Sequence, residues 1–371
     1  MRPALKSNTK LNNIQMLRAF AAVSVVYYHT GFGLGTMRSF GSYGVDVFFV
    51  ISGFIMARIL DADLRPNLPP GQHPGDFFLR RRLLRIVPPY WTFTLLLFFA
   101  SMRLPALMGS TRPSYVDLFK SLFFVPFTKY EWVIQPLLFI GWSLNYEMFF
   151  YIALAIGVWL HKRLNLRFPS VILGAALVLL TMLACMPFAA NSVPARFYSR
   201  DLSLEFLFGI GSYYLCRSIP AAATRRLRLL LLFFCLASAA LLIAVQGIFP
   251  PTTISRVITL GIPAMILVTS ACLLSQGGWD TSLAGLVLLG DASYILYLVH
   301  PYCELSIDRI LAPHYAWLHR EAPFGAIVGI GISVILALLI HLYVERPTLK
   351  YISYHLGGHH KPIEFSTPAQ S

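Results

Sequence analysis

The sequence predicts an all-α, polytopic membrane helix bundle of about ten transmembrane helices, with both termini cytoplasmic. Three observations predict it. Apolar residues make up 57% of the 371 residues and charged residues only 12%, about half the charged share of an average soluble protein, so there is too little polar surface to cover a water-soluble globule. The apolar residues gather into ten stretches, at about 14–33, 44–60, 86–102, 138–160, 170–189, 201–218, 229–246, 256–274, 288–311 and 324–343, each close to the roughly 20 residues that cross a bilayer. Lys and Arg divide unequally between the connecting segments, 20 on the side that holds the N-terminus and 10 on the other, which is the bias that marks a cytoplasmic side.

The same composition excludes disorder, which requires low hydrophobicity and high charge. A net charge of +14 would suit a nucleic-acid binder, but the basic residues cluster where apolar stretches end, as at Arg80-Arg81-Arg82, His161-Lys162-Arg163 and Arg225-Arg226. The expected partner is therefore the lipid bilayer of the cell inner (plasma) membrane, crossed several times, and no nucleic acid.

Backbone polar groups in lipid must be bonded within their own segment, so each stretch is expected as a helix. The first is not a cleavable signal peptide: Arg18 and His29 interrupt it and no small-residue cleavage site follows. Segment 115–128 is amphipathic, too short to span, and expected on the outer membrane surface. Residues 1–350 are expected to form one membrane domain and 351–371 a polar tail. No internal repeat of the kind found in many secondary transporters is visible. The five cysteines are odd in number and widely spaced, so they are read as packing residues, with no disulfide framework and no metal site.

Ionisable residues at bilayer depth are costly, and they either serve function or pair with one another. Arg18 and His29 in the first stretch are 11 residues apart, which returns them to within about 20° on one helix face, roughly 16–17 Å apart along the axis. That face joins a cation at the cytoplasmic mouth to an acid/base group at the outer one; a snorkelling Arg and an interfacial His are the plain alternative. Asp46 enters the second stretch at about the depth of His29 and is expected to fix its tautomer, as a triad carboxylate does; a carboxylate favoured by the helix dipole is the alternative. Arg82 and Arg85 share a face in Arg81-Arg82-Leu-Leu-Arg85-Ile-Val-Pro88, where Arg85 needs an anion, either a phosphorylated cytosolic ligand or a protein carboxylate. Glu147, in Trp142-Ser143-Leu-Asn145-Tyr146-Glu147, lies several residues deep from the outer side and either pairs with an Arg or handles a hydroxyl substrate. Asp201 and Glu205 are shallower, suited equally to a solvated face. His300 is mid-membrane, as fit for a structural bond to a neighbouring helix as for a site. Glu345 is expected to partner the basic cluster near Arg85.

With these residues placed, the chain resembles the acyltransferase-3 family of integral-membrane O-acyltransferases. The resemblance runs from about Leu11 to Pro347. It rests on Arg18-x10-His29, Gly-Val-Asp-Val-Phe-Phe-Val-Ile-Ser-Gly-Phe (44–54), Arg-Arg-Leu-Leu-Arg-Ile-Val-Pro (81–88), Trp-Ser-Leu-Asn-Tyr-Glu (142–147), Ser-Tyr-Ile-Leu-Tyr-Leu-Val-His-Pro (293–301) and Glu-Arg-Pro (345–347), in the family's order. Within the family it looks most like the stand-alone proteins that modify exopolysaccharides.

The resemblance implies transfer of an acyl group, usually acetyl, from acyl-CoA (acetyl-CoA as co-substrate, no permanently bound cofactor) to a hydroxyl of a polysaccharide or lipid-linked oligosaccharide. It implies His29 as acid/base and Arg18, Arg82 and Arg85 as donor-binding or structural residues. Asp46 and Glu147 join His29 as expected catalytic residues, and Ser143, Asn145, Tyr146 and His300 are expected to bind the acceptor or shape the pocket. Some relatives carry an appended hydrolase-like domain, and this sequence ends soon after the tenth stretch; if that domain accepts the acyl group in relatives, direct transfer to the acceptor or to a separate partner is expected here. A homo-oligomer is left open. The competing class is a proton-coupled exporter or flippase for a lipid-linked glycan, which would move substrate without consuming acyl-CoA.

Overall fold

The structure, a computed structural model, describes residues 11–33, 40–63, 73–104, 114–130, 133–166, 169–219, 224–248 and 255–356. In chain order its helices are α1 (Asn12–Thr30), α2 (Tyr43–Asp63), α3 (Pro74–Arg103), α4 (Tyr115–Leu122), α5 (Trp142–Arg163), α6 (Ser170–Cys185), α7 (Val193–Tyr198), α8 (Ser203–Ser218), α9 (Arg225–Ile248), α10 (Ile262–Gln276), α11 (Ala284–Asp291), α12 (Ser293–Ser306), α13 (Pro323–Ile340) and α14 (Arg346–Leu356). The strands among the described residues are β1 (Thr128–Tyr130) and β2 (Val133–Ile134), one short antiparallel pair. The fold is an all-α, polytopic bundle.

All ten expected stretches are helical. Among the described residues, seven helices are long and apolar enough to cross a membrane, or eight if α11 and α12, which meet at a 74° bend, make one broken span. The other two stretches are α1, whose apolar run is interrupted by Asn12, Asn13, Gln15, Arg18 and His29, and α8, which has only 16 residues. Helix α3 begins earlier than the expected stretch at 86–102. Pro74 stands in its first turn, where the missing N–H is no loss, and His73 caps it by accepting from the Gly75 N–H at 3.2 Å. The arginines at 80–82 and 85 are therefore helical, ahead of Pro88 and Pro89. Residues 351–356 of the expected tail continue α14, and 357–371 lie outside the described residues.

The chain divides into two compact units. In the first (residues 1–44, 216–237 and 268–371), α1 packs against α11, α12 and α13. Helix α1 has no side-chain cap of its own. Asp280, just beyond α10, takes that role from a distance, accepting from the backbone N–H groups of Asn12 at 3.2 Å and Asn13 at 2.9 Å. The Asn13 side chain returns the contact, donating to the Trp279 carbonyl at 2.8 Å and accepting from the Thr281 N–H at 2.8 Å.

The second unit (residues 45–215 and 238–267) holds most of α2 together with α3 to α8. Helices α2 and α8 touch backbone to backbone: a Cβ on Gly53 would stand 2.0 Å from the Phe206 carbonyl oxygen, and one on Gly209 2.0 Å from that of Val50. Small residues permit this approach in lipid. Around the crossing lies an aromatic core in which Phe150 stacks on Phe206 with ring centroids 4.0 Å apart. Helix α4 is tied to α3 by the Trp91 indole N–H, which donates to the Leu122 carbonyl at 2.8 Å. Tyr115, Val116 and Phe119 are exposed on it, as is Phe123 at its C-cap.

Candidate active site

The expected site residues fall into two groups, one in each unit. In the first unit, His29 at the end of α1 meets His300 of α12. His29 Nδ1 and His300 Nε2 are 3.0 Å apart, with the rings stacked at 27°. The other nitrogen of His300, Nδ1, lies 3.2 Å from the Leu296 carbonyl oxygen. A carbonyl only accepts, so His300 Nδ1 carries hydrogen and, in the neutral ring, Nε2 holds a lone pair. His29 Nδ1–H then donates to that lone pair, which leaves the basic lone pair of His29 on Nε2. Pro301, next in the helix, lacks the N–H that would bond the Tyr297 carbonyl.

The opposite end of the same helix pair holds Arg18. Its Nη2 donates to Ser293 Oγ at 2.9 Å and its Nη1 to Gln15 Oε1 at 3.3 Å. The two contacts, Arg18 to Ser293 and His29 to His300, make α1 and α12 run in the same direction. Ser293 opens α12 directly after the 74° bend. That bend is seated on α1 at Gly290, where a Cβ would stand 2.0 Å from the Gln15 carbonyl oxygen.

In the second unit Asp46 is completely buried and accepts from Arg256 at both oxygens, Oδ1 from Nε at 2.8 Å and Oδ2 from Nη2 at 2.6 Å. Its carboxylate is held in a two-pronged guanidinium pair, and in the first unit the ring of His300 lies against His29. Glu205 adjoins Asp46 and is 0% exposed, so it is not on a solvated face. Asp201, one turn earlier, accepts from Ser255 Oγ at 2.5 Å.

Glu147 of α5 is half-buried; Ser52 Oγ donates to its Oε1 and Tyr151 to its Oε2, each at 3.1 Å. Tyr151 also lies within electrostatic reach of Arg82 and Arg85, and Arg82 is itself buried. The remaining expected pocket residues are buried. Ser143 Oγ donates to the Ile140 carbonyl at 3.2 Å. The Tyr146 hydroxyl donates to the Phe197 carbonyl at 2.5 Å, and its ring stacks on Phe197, which is a packing role. Asn145 is 2% exposed. Glu345 bonds His341 one turn back, Oε2 to Nδ1 at 2.5 Å.

Sequence reasoning missed Arg256 and the pairing of His300 with His29. Arg256 had a usable signal, as a cation opening an apolar stretch at the same outer level as Asp46. The histidine pair had none, because its members are 271 residues apart.

A family profile described as an acyltransferase domain matches residues 11–342. The chain is 31% identical over 327 residues to the exopolysaccharide production protein ExoZ of Rhizobium meliloti (strain 1021), covering 87% of this chain and 94% of that one. It is 25% identical over 405 residues to the acyltransferase MdmB of Streptomyces mycarofaciens, covering 95% and 94%. No solved structure matches.

Proposed function

Because the chain belongs to the acyltransferase-3 family, we propose that it is a multi-pass inner-membrane O-acyltransferase that moves an acetyl group from cytosolic acetyl-CoA to a hydroxyl of an exopolysaccharide or its lipid-linked precursor. The observation that carries the reading is the relay Leu296 carbonyl–His300–His29, which presents His29 with its basic nitrogen at Nε2. His29 Nε2 removes the proton from the acceptor hydroxyl as the oxygen attacks the thioester carbonyl. The C–S bond breaks, and the proton passes from His29 to the leaving thiolate. A positioned histidine base contributes about 10²–10⁴-fold. The relay gives His300 the part that the sequence assigned to Asp46. A neutral imidazole accepting from Nδ1–H fixes the tautomer of its neighbour as a carboxylate would.

Arg18, at the far end of the α1–α12 pair, is assigned to the anionic donor, as are Arg82 and Arg85 on α3. Guanidinium groups suit phosphate, which they bind with charge-assisted hydrogen bonds. Glu147, held by Ser52 and Tyr151, and Asp46, held by Arg256, are assigned to the structure that carries these groups rather than to the proton path.

The test is to incubate membranes containing the protein with acetyl-CoA radiolabelled in the acetyl group and with envelope glycans. Label is expected on the glycan with the wild type and is expected to fall at least 10²-fold with His29→Ala. Glycan that crosses the bilayer while acetyl-CoA stays unconsumed would establish the transporter instead.

A further inference from the structure

Beyond His300, α12 carries one more buried polar group that the reaction as described does not use. Glu304 follows His300 by four residues, which puts both on one helix face, about 6 Å apart along the axis and on the side away from Arg18. It is 4% exposed, and among the described residues its Oε1 has no hydrogen-bond partner. A buried carboxyl oxygen left without a partner is destabilising and calls for an explanation.

The cation within electrostatic reach of Glu304 gives its Oε1 no hydrogen bond. Arg320 lies within electrostatic reach of both Glu304 and His29, but its Nε stands 3.7 Å from Asp308 Oδ2, and His319 Nε2 is 3.2 Å from the other oxygen of the same carboxylate. Arg320 therefore marks Glu304 and His29 as members of one neighbourhood without supplying the missing donor. Glu321 adds a second carboxylate to that neighbourhood, its Oε1 3.7 Å from where a Cβ on Gly31 would stand, two residues past His29. Just past Glu304 the helix widens into a π turn, Ile307–Leu311, an irregularity common at functional sites.

From this placement we infer that Glu304 is an acceptor-binding residue: its free oxygen accepts a hydrogen bond from a second hydroxyl of the sugar whose first hydroxyl is acylated at His29. The inference rests on the acyltransferase reading above. A carboxyl oxygen suits this task because it accepts a hydrogen bond and a sugar hydroxyl can donate one. A site built around such a bond rejects the analogue that lacks the hydroxyl far more strongly than an apolar pocket rejects a missing methylene.

The full-length protein in lipid nanodiscs tests this, with radiolabelled acetyl-CoA and, as acceptors, a panel of methyl hexopyranosides and their monodeoxy derivatives. The wild type is expected to acylate at least one parent sugar and to disfavour one of its deoxy derivatives by about 10²-fold or more. Glu304→Ala is expected to lower kcat/KM on the parent by a similar factor, through KM, until parent and deoxy sugar are used within about threefold of each other. The KM for acetyl-CoA is expected to stay within twofold of wild type. Glu304→Gln, which keeps the shape, is expected to reduce the discrimination about tenfold and carries the test if the alanine variant does not fold. A parent-to-deoxy ratio unchanged in the variants, no discrimination by the wild type, a KM for acetyl-CoA that rises in step with the loss, or label on envelope glycans but on none of these glycosides overturns the inference alone. If the wild type labels neither the glycosides nor envelope glycans, or His29→Ala labels them equally well, the acyltransferase reading has failed and Glu304 with it.

Discussion

A neutral imidazole acts as a base through the nitrogen that lacks hydrogen, so the chemistry of His29 is decided at its other nitrogen. The sequence made His29 and Arg18 legible, because their 11-residue spacing on one helix fixes a common face whatever surrounds them. It did not make the partners legible. Asp46 stood at a plausible depth beside His29, but depth along the membrane normal says nothing about direction around a helix, and its carboxylate is held by Arg256, 210 residues away. That pair yields a stability prediction. Asp46→Asn removes one partner of a pair in which Asp46 is fully buried and Arg256 is 33% exposed. The expected loss is about 1–3 kcal/mol, below the 3–5 of a fully buried pair because Arg256 retains water. Thermal unfolding in detergent measures it, and Asp46→Asn combined with Arg256→Met is expected to recover part of the loss. An unchanged melting temperature in Asp46→Asn would mean the pair is not formed.

At the level of elements, apolar length and the need to bond every backbone group in lipid made the ten stretches readable as helices, since both arguments are local. Where the reading ran short, the deciding interaction was distant. Leu11, the N-cap residue of α1, has no side chain that can cap it, and the cap is Asp280 arriving from beyond α10. The bend between α11 and α12 was hidden inside one apolar run at 288–311, yet it places Ser293 against Arg18. A cap of this kind is worth about 0.5–2 kcal/mol. Asp280→Ala is expected to lower stability by that amount and to raise amide exchange at the first turn of α1 while leaving α9 unaffected. Hydrogen-exchange mass spectrometry in nanodiscs checks both, and equal protection in the first turn of α1 would refute the capping role.

For the molecule as a whole, composition settled the class early, because a chain with 12% charged residues has few folds open to it outside lipid. The six short motifs added the family, and the match over residues 11–342 agrees with them. In the proposed reading one helix pair, α1 and α12, has two jobs at its two ends: an anion-binding arginine at one, and a base with its hydroxyl-accepting carboxyl group at the other. The proposal turns on His300 orienting His29. Single-turnover transfer of labelled acetyl by the reconstituted protein tests this most directly, with His29→Gln, His300→Gln and His300→Leu compared at equal folded concentration. The account predicts that His29→Gln loses about 10³-fold or more, that His300→Leu loses roughly 10²-fold, and that His300→Gln, whose side-chain oxygen still accepts from His29 Nδ1–H, recovers a large part of that loss. Equal rates in wild type and both His300 variants would contradict it.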